Sequence, residues 1–155
     1  MIQRIQSLYL LLTSLLSILF LKGAFLTFFD NTGSSFEIFL SGIMKYTGNA
    51  DPVKVGEVWL ILILSVIIPI LSIVIISLYK KRDYQLILTK ILIMLISTFI
   101  CASIAYSFII ISKYEAAFIS WYKLIIPVIQ LILSILACRG IKKDDDLIKS
   151  YDRLR

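Results

Sequence analysis

From Val58 to Leu78 the chain carries no charged residue, and the same is true from Ile91 to Ser112. A bilayer hydrocarbon core of about 30 Å takes roughly 20 apolar residues in helical form. Each run is therefore long enough to cross one. Two further runs nearly match them: residues 5–29, interrupted by Lys22, and residues 116–138, where Lys123 near the start is the single charge. Their wealth of Ile and Val would argue for strands in water. In hydrocarbon every backbone N–H and C=O must find its partner within the segment, which favours helices. Composition points the same way. A chain of 155 residues that is 59% hydrophobic, with mean hydropathy +0.94, is greasier than a soluble domain.

These runs predict an all-α integral membrane protein, one domain over residues 1–155, folded as an up-down four-helix transmembrane bundle. The spans are expected at about 5–29, 58–78, 90–112 and 116–138. Short links at 80–85 and 113–115 make consecutive helices antiparallel neighbours. The first run also resembles a cleavable leader, with Arg4, the stretch Leu8–Leu21 and the small pair Gly23-Ala24. The apolar character resumes through Phe25, Phe28 and Phe29, which favours a retained span.

Charge sets the orientation. With the amino terminus inside, eleven of the 16 cations and five of the ten anions fall on the inner side, and the outer side balances. The whole net charge of +6 then lies on one face, as the positive-inside rule requires for two cytoplasmic termini. Trp59 and Trp121 open the second and fourth spans at the outer interface, while Tyr79 and Tyr84 mark the inner one.

The outer loop, 30–56, opens with the turn-forming run Asp30-Asn31-Thr32-Gly33-Ser34-Ser35 between aromatic stretches. It predicts a small extracytoplasmic hairpin, with an interfacial helix through Phe36 to Tyr46 as the rival. The cytoplasmic tail, 139–155, reads as an amphipathic helix on the membrane surface. Asp144 is its cap, Leu147, Tyr151 and Leu154 form one face, and Asp145–Lys149 is an i, i+4 pair. Its cations suit anionic lipid headgroups or a membrane-protein partner. They are too interleaved with Asp to suggest nucleic acid.

No reaction chemistry is legible. Histidine is absent, which removes the commonest general base and metal ligand. No phosphate loop, carboxylate dyad, metal spacing or nucleophile motif occurs. Neither an enzyme nor a cofactor is expected. Cys101 and Cys138 read as buried small hydrophobes. The intramembrane polar candidates are Lys22, Lys123 and Gln130. The lysines can snorkel to headgroups, and the amide can bond between helices. Pro69 and Pro127 are expected to kink their helices. Ser7, Ser14 and Ser17 share a side of the first helix, and Ser103 and Ser107 form a small-xxx-small pair in the third.

The opening Met1-Ile2-Gln3-Arg4-Ile5-Gln6-Ser7-Leu8-Tyr9-Leu10 and the ending from Arg139-Gly140-Ile141-Lys142-Lys143 to Tyr151-Asp152-Arg153-Leu154-Arg155 resemble the family catalogued as domain of unknown function 4293. That resemblance implies a small four-span protein of the bacterial inner membrane and carries no activity. Both ends fall on the cytoplasmic face. The expectation is that Gln3, Arg4 and Gln6 pack against a helix bearing Arg139, Lys142, Lys143, Asp152 and Arg153 to form a platform. Such a protein acts through contacts, as an accessory or assembly subunit. The alternative is a small transporter or channel, with Lys22, Lys123 and Gln130 near its pathway, and a water-filled cavity is the feature that separates the two.

Overall fold

A computed structural model describes residues 3–30, 33–47, 51–79, 81–114, 117–120 and 122–152. The fold is mostly helical and carries a five-stranded antiparallel sheet. The helices are α1 (Gln3–Phe20), α2 (Trp59–Ser77), α3 (Arg82–Tyr114) and α4 (Ile125–Asp152). α1 packs against α2 and α4, and α3 packs against the same two. Three of the helices are long and apolar enough to cross a membrane. α1 is shorter, yet its 18 residues span about 27 Å at 1.5 Å each.

The helices are apolar on their outward faces as well as in the core. Their outward faces present Ile70, Met94 and Phe108, each more than half exposed. The inward faces bury Gln6, Thr13, Ser17, Ser72, Thr89, Gln130 and Ser134. Most of the hydroxyls donate to their own helix, as Ser72 Oγ does to the Ile68 carbonyl at 2.9 Å. This satisfies each group without help from a neighbouring helix.

The sheet folds over one end of the helices, and Gln3 and Asp152 lie toward the other. Its strands are β1 (Leu26–Phe29), β2 (Ser34–Phe39), β3 (Gly42–Thr47), β4 (Val53–Gly56) and β5 (Ala117–Ser120), in the order β4-β3-β2-β1-β5. Period-two alternation explains how it docks. Leu26, Phe28, Ser34, Phe36 and Ile38 are buried, while Thr27, Ser35, Glu37 and Phe39 are less covered. The register pairs Phe28 with Phe36 and Leu26 with Ile38 on the buried face. The Phe36 ring then lies 4.5 Å from that of Tyr114, at the end of α3. At the β2–β3 turn Gly42 adopts φ +140, and a Cβ there would come within 2.7 Å of the Gly56 carbonyl. Only glycine suits that position.

Several expectations are corrected. The first apolar run is not one helix to residue 29. The helix stops at Phe20, Gly23 turns the chain at φ +74, and Leu26–Phe29 forms a strand. The expected hairpin is present as β1 and β2 and is extended into a larger sheet, while Phe36 to Tyr46 is strand, turn and strand rather than the rival interfacial helix. The fourth run begins as β5 and a 3-10 turn (Tyr122–Leu124), so its helix starts at Ile125 and not at 116. Pro127 therefore falls in the first turn of α4. Its missing N–H costs nothing there, because first-turn amides have no partner within the helix. No separate tail helix follows either: α4 runs unbroken to Asp152, and Asp144 lies inside it rather than capping it. Cys101 is exposed on α3 and Cys138 is half-buried. Trp121 and Glu115 lie outside the described residues, as do the side chains of Leu147, Lys149 and Tyr151.

Candidate functional site

Three levels of the molecule gather polar groups. At the end nearest the termini, Gln6 of α1 is buried and its Nε2 donates to Asp144 Oδ2 of α4 at 2.7 Å. Asp144 is itself buried, and Arg82 Nη1, at the start of α3, donates to its carbonyl oxygen at 3.3 Å. A carboxylate withdrawn from water needs donors and positive charge close by. The Gln6 amide provides a donor to the side chain, and the guanidinium binds the backbone of the same residue. Beside them, Gln85 Nε2 donates to the Ile75 carbonyl at 3.3 Å and ties α3 to the last turns of α2. All four helices thus meet at this junction.

The close approach of α1 and α4 depends on Gly140. A Cβ on it would lie 2.8 Å from Gln6 Cγ, inside van der Waals contact. A glycine within a helix costs about 1 kcal/mol relative to alanine, and here it makes room for the amide that reaches Asp144. Arg139, Lys142 and Lys143 stand exposed on the same stretch of α4. Of the expected platform, the structure brings Gln6 onto that stretch. Gln3 and Arg4 lie in the first turn of α1 and Asp152 ends α4, but their side chains, and all of Arg153, are outside the described residues. Sequence reasoning missed Arg82, Gln85 and the buried role of Asp144. An isolated glycine in a helical pattern was the available signal, since it often marks a close backbone approach.

Midway along the helices, Gln130 Nε2 donates to Ser17 Oγ at 3.0 Å, and Ser17 Oγ donates to the Thr13 carbonyl at 2.9 Å. Ser17, Phe20, Ser65, Ile68, Phe99 and Gln130 line a cavity of about 10 Å³. That is room for about one water molecule. The antiparallel register that sets Gln6 by Gly140 and Ser17 by Gln130 places Thr13 opposite Ser134. Ser134 Oγ is buried with no partner among the described residues. Interhelical bonds of this kind contribute on the order of 1 kcal/mol in a bilayer. Gln130→Leu is therefore expected to lower stability by about 1 kcal/mol or less, measured by reversible unfolding in detergent micelles. A loss several times larger would mean that the amide does more than join α1 to α4.

At the sheet end, Lys123 Nζ donates to the Lys22 carbonyl at 3.2 Å, so these two candidates come together where α1 ends and α4 begins. The Lys22 side chain is exposed. Nearby, Lys54 Nζ lies 3.1 Å from Glu57 Oε1, and the Trp59 indole donates to the other carboxylate oxygen. The Lys54 bond above all, then the Trp59 bond, holds the Glu57 carboxyl below its ordinary value. A lowered folded-state value favours the fold above the ordinary carboxylate range, and that contribution is lost as pH falls through the lowered one. Among the described residues no group of three or more Cys, Asp or Glu is placed to hold a metal ion.

Three helices of membrane-crossing length, joined to a shorter apolar helix and capped by a small antiparallel sheet, define an apolar helical protein with polar groups turned inward. The family model described as Domain of unknown function (DUF4293) matches residues 2–154, and the chain belongs to that family. No curated protein and no solved structure matches it.

Proposed function

We propose that this is a non-enzymatic, four-span protein of the bacterial inner membrane. It lies with both termini in the cytoplasm and serves as an accessory or assembly subunit through the end where they meet. The observation that carries the reading is the buried junction of Gln6, Asp144 and Arg82. It fixes the start of α1 against the far part of α4 and leaves Arg139, Lys142 and Lys143 exposed beside it. A cationic surface on a rigid support suits a partner protein or anionic headgroups. The four-span arrangement is supported by the exposed apolar faces, which a soluble monomer rarely tolerates. The positive-inside rule supports the orientation. The cavity beside Gln130, at about 10 Å³, gives the transport reading little to build on.

Affinity purification from native membranes tests the contact reading. Replacing Arg139, Lys142 and Lys143 with glutamine leaves the buried junction intact. The triple variant is expected to insert and fold normally while losing at least three-quarters of any co-purified partner. Full partner recovery with the variant, or no specific partner with the parent chain, would overturn it.

A further inference from the structure

We propose that the pocket where the β2–β3 turn meets β4 and the start of α2 binds the headgroup of a phospholipid bearing a primary amine. The inference rests on the four-span reading and adds a ligand at the opposite face. The pocket holds about 40 Å³ and is lined by residues that include Leu40, Ser41, Lys54, Glu57, Trp59 and Leu62. That volume is a few waters' worth. A primary ammonium can donate hydrogen bonds to the Glu57 carboxylate in the pocket wall, whereas a trimethylammonium has none to donate.

The chemistry of the wall is zwitterionic. The Lys54 ammonium and the Glu57 carboxylate stand 3.1 Å apart with their side chains 45% and 50% exposed, and each can take a further hydrogen bond beside those it already makes to its neighbours. A phosphoethanolamine group carries the complementary pair, an anion and a cation a few bonds apart. Its phosphate meets Lys54 and the Ser41 hydroxyl, and its ammonium meets Glu57 and the indole face of Trp59. Trp59 is 62% exposed at the first position of α2, the depth at which interfacial tryptophans sit. Leu40 and Leu62 give the first acyl methylenes an apolar floor. An isolated ion pair on a surface would require none of this enclosure.

The test uses the full chain in nanodiscs whose lipids carry brominated acyl chains on one headgroup at a time: phosphatidylethanolamine, phosphatidylcholine or phosphatidylglycerol. A Trp121→Phe background leaves Trp59 as the emitter. In mixed bilayers the brominated ethanolamine lipid is expected to quench it up to about fivefold more effectively than either other lipid, the factor an exposed ion pair can supply. Glu57→Gln and Lys54→Met should each abolish that preference. Equal quenching by ethanolamine and choline lipids overturns the proposal, as does a preference that survives Glu57→Gln. Retention of ethanolamine lipid by the unsubstituted chain in native mass spectrometry supplies a second readout. Failure of the chain to enter nanodiscs at all would remove the four-span reading too, whereas entry without headgroup preference removes only this one.

Discussion

Phe36→Ala is expected to destabilise the sheet end by about 3–5 kcal/mol, the usual cost of emptying a fully buried phenylalanine position. Phe36 is completely buried, faces Phe28 across the strand pair and stacks on Tyr114. The Lys45 ammonium lies over its ring at 5.3 Å. Removing the ring strips the sheet of its contact with Tyr114 of α3 and touches none of the packing among α1, α2, α3 and α4. Hydrogen exchange should therefore accelerate across residues 26–47 and 117–120 while residues 60–77 keep their protection. A loss below about 1 kcal/mol, or acceleration spread evenly through the helices, would show that the sheet is not seated through this ring.

Gln6→Leu should cost about 2–3 kcal/mol, because it leaves the buried Asp144 carboxylate without the amide that it accepts from. The informative variant is the double replacement. In Gln6→Leu/Asp144→Leu neither group is left buried without its partner, so the pair should cost no more than the worse single change. A double-mutant cycle in micelles measures the coupling, expected at about 1.5 kcal/mol or more. Single effects that merely add, within about 0.5 kcal/mol, would mean that the two side chains do not depend on each other.

The helical part of the fold was largely legible in the sequence, because length and absence of charge leave few alternatives for Val58–Leu78 and Ile91–Ser112. Sheet and helix look alike in sequence where an apolar run is short. Phe25–Phe29 and Ala117–Ser120 are apolar enough to prolong a neighbouring span, and periodicity alone does not separate a short buried strand from a helix end. Punctuation would have helped. Gly23 is a helix stop, and Pro127 belongs in a first turn, which moves the start of α4 close to Ile125. The two chain ends predict the pairing of Gln6 with the far part of α4, yet the residue that receives it looks in sequence like a helix cap. Asp144 has the composition of a cap, and what overrode that preference was tertiary packing. Arg82 gave no signal at all, since a cation at an apolar boundary looks like any other interfacial charge.

The strand order has a consequence for how the protein is made. β1–β4 are contributed by the stretch between α1 and α2, but β5 arrives only after α3 has been synthesised. Until then the outer edge of Leu26–Phe29, which pairs with Ala117–Ser120 through Thr27, Phe28 and Phe29, stands bare. An open edge of that kind recruits other strands readily. Biogenesis of this chain thus includes an interval of vulnerability that ends when the last hairpin of helices delivers its strand. The sheet is complete only once the chain has been made through residue 120.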